Sequence, residues 1–285
     1  MPAPPTLLDY DRRIARAIAW LAANPGQSPS LEVLAAAAAF SPCHFHRIYR
    51  AMTGETPAAT LARQRLQRAA GELLGTARPM ARVARRAGFG SVAAFTRAFR
   101  AAHGLPPAAY RRRGGIGRPL QECPMQESTM FDVTIEVMPP LRLAAIRHTG
   151  PYADIAPTFD RLASWARARG LLEGPRRVFG LYHDDPDSVP PARLRADACV
   201  TIGPDVVVEG EARLLELPAF EAATVVFQGP YAELGKVYDW LYGTWLPGSG
   251  REPADQPPMD EALNNPRQHP PSAWLTRVII PLRPA

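Results

Sequence analysis

The segment HTGPYADI at residues 148–155 is written again as FQGPYAEL at residues 227–234, 79 positions later. The likeness runs in both directions. LRLAAIRHTGPYADI (141–155) aligns with FEAATVVFQGPYAEL (220–234), and DDPDSVPPARLRADACVTI (184–202) aligns with NNPRQHPPSAWLTRVIIPL (264–282) at an offset of 80. Each copy begins with apolar strand, turns at Gly-Pro-Tyr, runs on in a helical pattern (APTFDRLASWARARG and GKVYDWLYGTWL) and closes on further strand. The unit is strand, strand, helix, strand, strand, about 80 residues long, and it occurs twice. Two copies of one α+β unit pack with approximate two-fold symmetry, and a cleft on that axis is a favoured ligand site. The repeated turn is a poor phosphate loop, because it has one glycine and a proline that removes a donor. Gly150 and Gly229 are expected to serve backbone geometry, and Tyr152 and Tyr231 to line the two sides of the cleft.

The first part of the chain differs in pattern and in charge. Residues 1–113 carry 17 Arg, no Lys and five acids, a net +12, whereas the rest carries 16 basic and 22 acidic residues, a net −6. A basic half beside an acidic half points to a polyanion partner for the basic half alone. This half also repeats. SPCHFHRIYRAMTGETPAA (41–59) aligns with SVAAFTRAFRAAHGLPPAA (91–109) at an offset of 50, and LAAAAAF (34–40) aligns with VARRAGF (83–89). Each copy reads as a short helix, a tight turn and a second helix, with Ser41 and Ser91 as N-caps. Phe45 and Tyr49, like Phe95 and Phe99, fall at i and i+4 and face a core, leaving arginines on the other face. This is a helix-turn-helix written twice. Between the copies, residues 57–75 give a helix of about 28 Å, a spacer comparable with the roughly 34 Å between successive major grooves.

Residues 30–113 resemble the two-motif DNA-binding domain of the AraC/XylS family of bacterial transcription regulators. RVARRAGFGSVAAFTRAFRAAHGLPPAAYRRR (82–113) carries most of the likeness, with its Gly-Phe turn, its Phe-x-Arg-x-Phe-Arg helix and its Pro-Pro-x-x-Tyr-Arg ending. The resemblance implies base contacts from the early positions of each second helix: Cys43, His46 and Arg47, then Val92, Ala93, Thr96 and Arg97. Arg47 and Arg97 each suit a bidentate pair with guanine, so Arg47→Ala is expected to cost more sequence discrimination than Val92→Ala. Arg50 and Arg100, one turn later, suit phosphates. Val92 and Ala93 offer thymine-methyl contact or shape readout. His44 and His103 read as structural or surface residues.

The second half holds four of the five Trp, and near them several carboxylates, among them Asp184, Asp185, Asp239, Asp260 and Glu261. An aromatic box with a carboxylate suits a lipophilic organic cation. Residues 130–283 resemble the GyrI-like effector-binding domain found in multidrug-binding regulators, through GPYADI, WLYGTWLPGSGREPADQPPMDEALNNPRQHPP and the closing RVIIPL. That resemblance implies a pocket carboxylate at Asp260, with Glu261 beside it, and pocket aromatics at Trp240, Tyr242 and Trp245, with Tyr152.

Together these readings predict a multidomain chain. An all-α double helix-turn-helix domain spans 1–113, a linker rich in Gly and Pro spans 114–128, and a duplicated α+β domain spans 129–285. The predicted function is a sequence-specific DNA-binding transcription regulator whose C-terminal domain binds a small aromatic or cationic effector. Double-stranded DNA and the effector are the expected partners, with RNA polymerase a further candidate. The alternatives are a C-terminal domain that binds a protein, such as a topoisomerase or polymerase, or a small-molecule hydrolase using Asp260, Glu261 and Tyr152. No nucleophile elbow, HExxH or Walker loop is present, so the chain is expected not to be an enzyme. Cys43, Cys123 and Cys199 form no CxxC pair, so neither a disulfide framework nor a metal site nor a cofactor is expected. No run of about 18 apolar residues and no secretory leader is present, which leaves the cytoplasm as the default location and no membrane partner.

Overall fold

The computed structural model describes residues 5–114, 130–171 and 176–284. Most of the predicted linker, and Cys123 with it, lies outside the described residues. The chain divides into two compact units, one comprising Met1–Tyr10, Ser41–Met52 and Ser128–Ala285, the other Asp11–Phe40 and Thr53–Glu127. The helix of residues 42–53, assigned by sequence to the basic domain, thus falls almost wholly in the same unit as the α+β part.

The helices of the basic half are α1 (Pro5–Ala23), α2 (Leu31–Ala38), α3 (Pro42–Thr53), α4 (Pro57–Gly75), α5 (Met80–Arg86), α6 (Val92–His103) and α7 (Pro107–Arg112). In the unit made of 11–40 and 53–127, Leu66, Ala69 and Leu73 of α4 meet Val83 and Ala84 of α5 and Phe95 and Phe99 of α6 in one apolar core. The aromatic pair predicted at i and i+4 is there, with Phe95 and Phe99 fully buried and their ring centroids 5.4 Å apart. Ser91 caps α6 by accepting from the Ala94 N–H at 3.1 Å, and Thr56 caps α4 by accepting from Ala59 N–H at 3.2 Å. Ser41, the expected counterpart of Ser91, does not cap: its buried hydroxyl makes no hydrogen bond, and the proline that follows it opens α3.

The two helix-turn-helix turns use different residues for one backbone shape. Gly88 has φ +78°, a conformation glycine adopts freely, while the first copy places Ala39 in the same left-handed region at φ 54°. Arg13 braces that turn, its Nε donating to the Ala38 carbonyl at 3.0 Å and its Nη2 to the Ala39 carbonyl.

The α+β part is one antiparallel eight-stranded sheet: β1 (Thr134–Met138), β2 (Leu141–Thr149), β3 (Val178–Tyr182), β4 (Arg195–Thr201), β5 (Arg213–Leu217), β6 (Phe220–Gln228), β7 (Met259–Ala262) and β8 (Leu275–Leu282). Their order is β1-β6-β8-β7-β3-β4-β2-β5, which reads the same from either end once each strand is replaced by its counterpart in the other copy. The two copies therefore meet at β3 and β7, and each copy's first strand pairs with the second strand of the other. Helix α8 (Ala156–Arg167) follows the first Gly-Pro-Tyr turn, and α9 (Leu234–Trp240) follows the second. Gly150 and Gly229 have φ +134° and +151°, so both copies of the turn need a residue without a side chain. After α9 the backbone widens into a π turn (Leu241–Trp245) and tightens into α10 (Leu246–Ser249). Ala144, Ile146, Ala198 and Val200 pack against Leu162 and Trp165 of α8 on one face of the sheet. Leu143, Ala145, Phe179, Cys199, Met259 and Ile279 form a second core on the other.

Candidate functional site

At the junction of the two copies Gly180 of β3 lies opposite Asp260 of β7, so Asp260 shares a sheet face with Gly180. Gly180 is required there by the ring of Tyr182, two residues along the same face. A Cβ at Gly180 would stand 2.7 Å from the Tyr182 hydroxyl oxygen and about 3 Å from its ring. From α9, Tyr238 donates its hydroxyl to Asp260 Oδ1 at 2.6 Å. Tyr152, from the first Gly-Pro-Tyr turn, packs edge-on against Tyr182 at 4.9 Å and donates to the Asp184 carbonyl at 2.8 Å. Burial raises the carboxyl of Asp260 to about 7, against the opposing effects of the Tyr238 hydrogen bond and the Arg47 charge. Burial also holds the Tyr182 and Tyr238 phenols well above their ordinary value. The result is a set of neutral tyrosines around one buried carboxyl.

Glu261, its neighbour in sequence, points the other way. It lies opposite Phe179 and Arg277, accepts from Arg177 Nε at 2.6 Å and Nη2 at 2.9 Å, and stands 3.5 Å from Arg277 Nη1. The two adjacent carboxylates therefore do not share a site, because successive strand residues alternate between faces. Tyr242 is fully buried on the π turn and stacks nearly parallel to Tyr238 at 6.4 Å, while Trp240 packs edge-on against Phe131 at 5.5 Å. Trp245 is half-buried on the same turn. Tyr238, which holds Asp260, and Tyr182, on the same sheet face, were not among the site residues expected from sequence. Tyr238 was legible as the residue one helical turn before Tyr242.

The helix α3 belongs to the same compact unit, and its side chains meet this set. Arg47, only 9% exposed, donates from Nη2 to the carbonyls of Asp184 at 2.8 Å and Tyr182 at 3.3 Å, and from Nη1 to the Cys43 carbonyl at 2.9 Å. Its guanidinium lies 6.0 Å from the centre of the Tyr242 ring. His44 Nδ1 and the Tyr242 hydroxyl are 2.7 Å apart, and burial, reinforced by the Arg47 charge, lowers the imidazole to about 3 and keeps it neutral. Arg50 pairs with Asp187 and Asp239. Cys43 and His46 are half-buried, and burial raises the Cys43 thiol. No residue of α3 is exposed.

The second helix of the other helix-turn-helix copy, α6, contrasts with α3. Val92, Ala93, Arg97 and Arg100 of α6 are exposed and Thr96 is half-buried, while Phe95 and Phe99 hold the opposite face in the core. Among the described residues no group of three or more His, Cys, Asp or Glu could hold a metal ion, and no helix is long and apolar enough to cross a membrane.

Residues 131–283, more than half of the chain, match the family described as the GyrI-like small molecule binding domain. The chain belongs to the GyrI-like family. Residues 34–113 match a helix-turn-helix domain, so this GyrI-like chain joins an AraC-type DNA-binding domain to a small-molecule binding domain. It is 33% identical over 139 residues to the DNA gyrase inhibitor of Serratia proteamaculans, which spans 47% of this chain and 87% of that protein. It is 36% identical over 107 residues to the transcriptional regulator Rob of Salmonella typhimurium, 36% of this chain and 37% of that one. It is 33% identical over 102 residues to the uncharacterised helix-turn-helix regulator YbfP of Bacillus subtilis, 36% of this chain and 35% of the other.

Proposed function

We propose that the protein is a cytoplasmic transcription regulator that recognises a specific DNA sequence and changes that recognition when an aromatic or cationic effector enters the GyrI-like domain. The observation that carries the effector class is the carboxyl of Asp260, buried among Tyr182 and Tyr238 at the junction of the two copies. An aromatic cation gains from the ring faces and from the ionised carboxylate, while a neutral aromatic gains from the rings alone. Tyr152, edge-on to Tyr182, and Tyr242, parallel to Tyr238, are the further aromatics of this reading, with Trp240 and Trp245 on the helix and turn that carry Tyr238 and Tyr242. Exposed Arg97 on α6 supports direct readout with Thr96, Val92 and Ala93 beside it, and Arg100 supports a phosphate contact. RNA polymerase is a fitting further partner for such a regulator. Binding rather than catalysis fits Asp260, whose nearest hydroxyl is a phenol held protonated.

Thermal-shift screening of aromatic cations and neutral aromatics against the full chain tests this reading, because a ligand that binds only the folded state raises the melting temperature by mass action. Cations that stabilise the parent but not Asp260→Asn support it. A panel that shifts neither contradicts it. The likeness to proteins named DNA gyrase inhibitor supports a second reading, in which the GyrI-like domain binds a protein such as a topoisomerase. The edge strand β1 exposes Ile135 and Val137 for such a contact. A gyrase supercoiling assay with the full chain decides that reading, and undiminished supercoiling at equimolar protein contradicts it.

A further inference from the structure

Arg47 is a buried cation that reaches from α3 to the tyrosines of the GyrI-like part. Its guanidinium is buried and donates to two main-chain carbonyls at the end of β3, those of Tyr182 and Asp184. Tyr238, Tyr242 and Asp260 are close enough for the charge of Arg47 to act on them. The helix that carries it is anchored on either side, by His44 to the Tyr242 hydroxyl and by Arg50 to Asp187 and Asp239. A planar cation on a flexible stem, donating to main-chain carbonyls beside the Tyr242 ring, is held as a bound cation would be. The same helix is the one whose early positions the AraC-type resemblance assigns to base reading, and none of its residues is exposed. Its two arginines, which suit guanine and phosphate, are engaged with the GyrI-like part instead.

We propose that Arg47 is an internal occupant of the effector site, and that planar N–H-donating cations of the guanidinium or amidinium class compete with it and release α3. The proposal rests on the effector reading above and narrows it to one ligand chemistry. A quaternary ammonium carries the same charge but has no N–H for the carbonyls of Tyr182 and Asp184, so it cannot replace the hydrogen bonds that Arg47 makes. Displacing Arg47 also removes one of the contacts that hold α3, so ligand and the first reading helix oppose each other on one site.

The test is calorimetric titration of the full chain with benzylguanidinium, benzyltrimethylammonium and benzyl alcohol, in the parent, Arg47→Ala and Arg47→Lys. Arg47→Ala vacates the subsite and is expected to bind benzylguanidinium at least tenfold more tightly than the parent, and at least tenfold more tightly than it binds benzyltrimethylammonium. Arg47→Lys, which keeps a charge on the helix, is expected to stay within a few-fold of the parent. Equal affinity of parent and Arg47→Ala for benzylguanidinium overturns the internal occupant and leaves the effector reading standing. Failure of all three probes to bind any variant overturns both. A second readout needs no variant: the alkylation rate of Cys43, read by peptide-resolved mass spectrometry in the parent chain, reports whether α3 has left. A several-fold rise with saturating benzylguanidinium, and none with benzyl alcohol, supports the proposal. An unchanged Cys43 rate under saturating benzylguanidinium overturns it.

Discussion

Asp260 and His44 carry opposite pH dependences within one compact unit. The carboxyl of Asp260 is raised to about 7 by burial, so between about pH 4 and 7 the folded chain holds a proton that the unfolded chain has released. The stability that proton confers is full below about pH 4 and is lost as pH rises through 7. The imidazole of His44 is lowered to about 3, chiefly by burial, so below about pH 6.5 the unfolded chain takes up the proton first. Stability from His44 is full above about 6.5 and is lost as pH falls toward 3. Between about pH 4 and 6.5 the two slopes oppose each other, each of order 1.4 kcal/mol per pH unit. Asp260→Asn removes one of them. Its stability relative to the parent is expected to rise as pH increases from 4 to 7, read as urea midpoints at pH 4.5 and pH 7. Parallel pH profiles for the two proteins would contradict the burial argument. Neither shift was legible in the sequence. Asp260 and Glu261 differ by one methylene and one position, and only the strand pleat decides which enters the tyrosine set and which pairs with Arg177.

At the scale of elements, the two helix-turn-helix copies have the same hydrophobic frame but different turns and different surroundings. Ala39 occupies a left-handed conformation that costs an L-residue about 1 kcal/mol, whereas Gly88 occupies it freely. Ala39→Gly is therefore expected to raise stability by about 0.5–1 kcal/mol, and Gly88→Ala to lower it by at least as much. In the second case the new Cβ also meets the Arg65 guanidinium at 2.9 Å. Thermal melts of the two variants check this, and a destabilised Ala39→Gly would contradict it. On α6, Arg97→Ala is expected to cost about 1–3 kcal/mol of base discrimination, while Val92→Ala changes it by less, measured as binding to a panel of site variants. Equal losses for the two variants would count against direct readout by Arg97. The periodicities located these helices because Phe45, Tyr49, Phe95 and Phe99 fix which face turns inward. They could not show that the arginines of α3 face the GyrI-like domain. An arginine that donates to backbone carbonyls and one that faces solvent or DNA have the same helical spacing, and the partners of Arg47 lie some 135 residues away in sequence. The duplicated sheet was legible for the converse reason: a repeat of 79 residues must place equivalent strands equivalently, and the palindromic order β1-β6-β8-β7-β3-β4-β2-β5 is that constraint made visible.

At the scale of the molecule, one chain joins a basic DNA-binding part to an acidic GyrI-like part, net +12 against −6. Coupling between effector and DNA is a free energy shared by the two ligands and is reciprocal, so either can be titrated to read it. If α3 is needed both by the closed effector site and by DNA, an effector that takes the place of Arg47 and DNA that takes α3 favour the same state. The most direct test of that account is the affinity of the full chain for benzylguanidinium, measured by calorimetry without DNA and with a saturating duplex selected from a random pool. The account predicts tighter binding in the presence of DNA, by a factor of about 5 or more. Identical affinities with and without the duplex would contradict it.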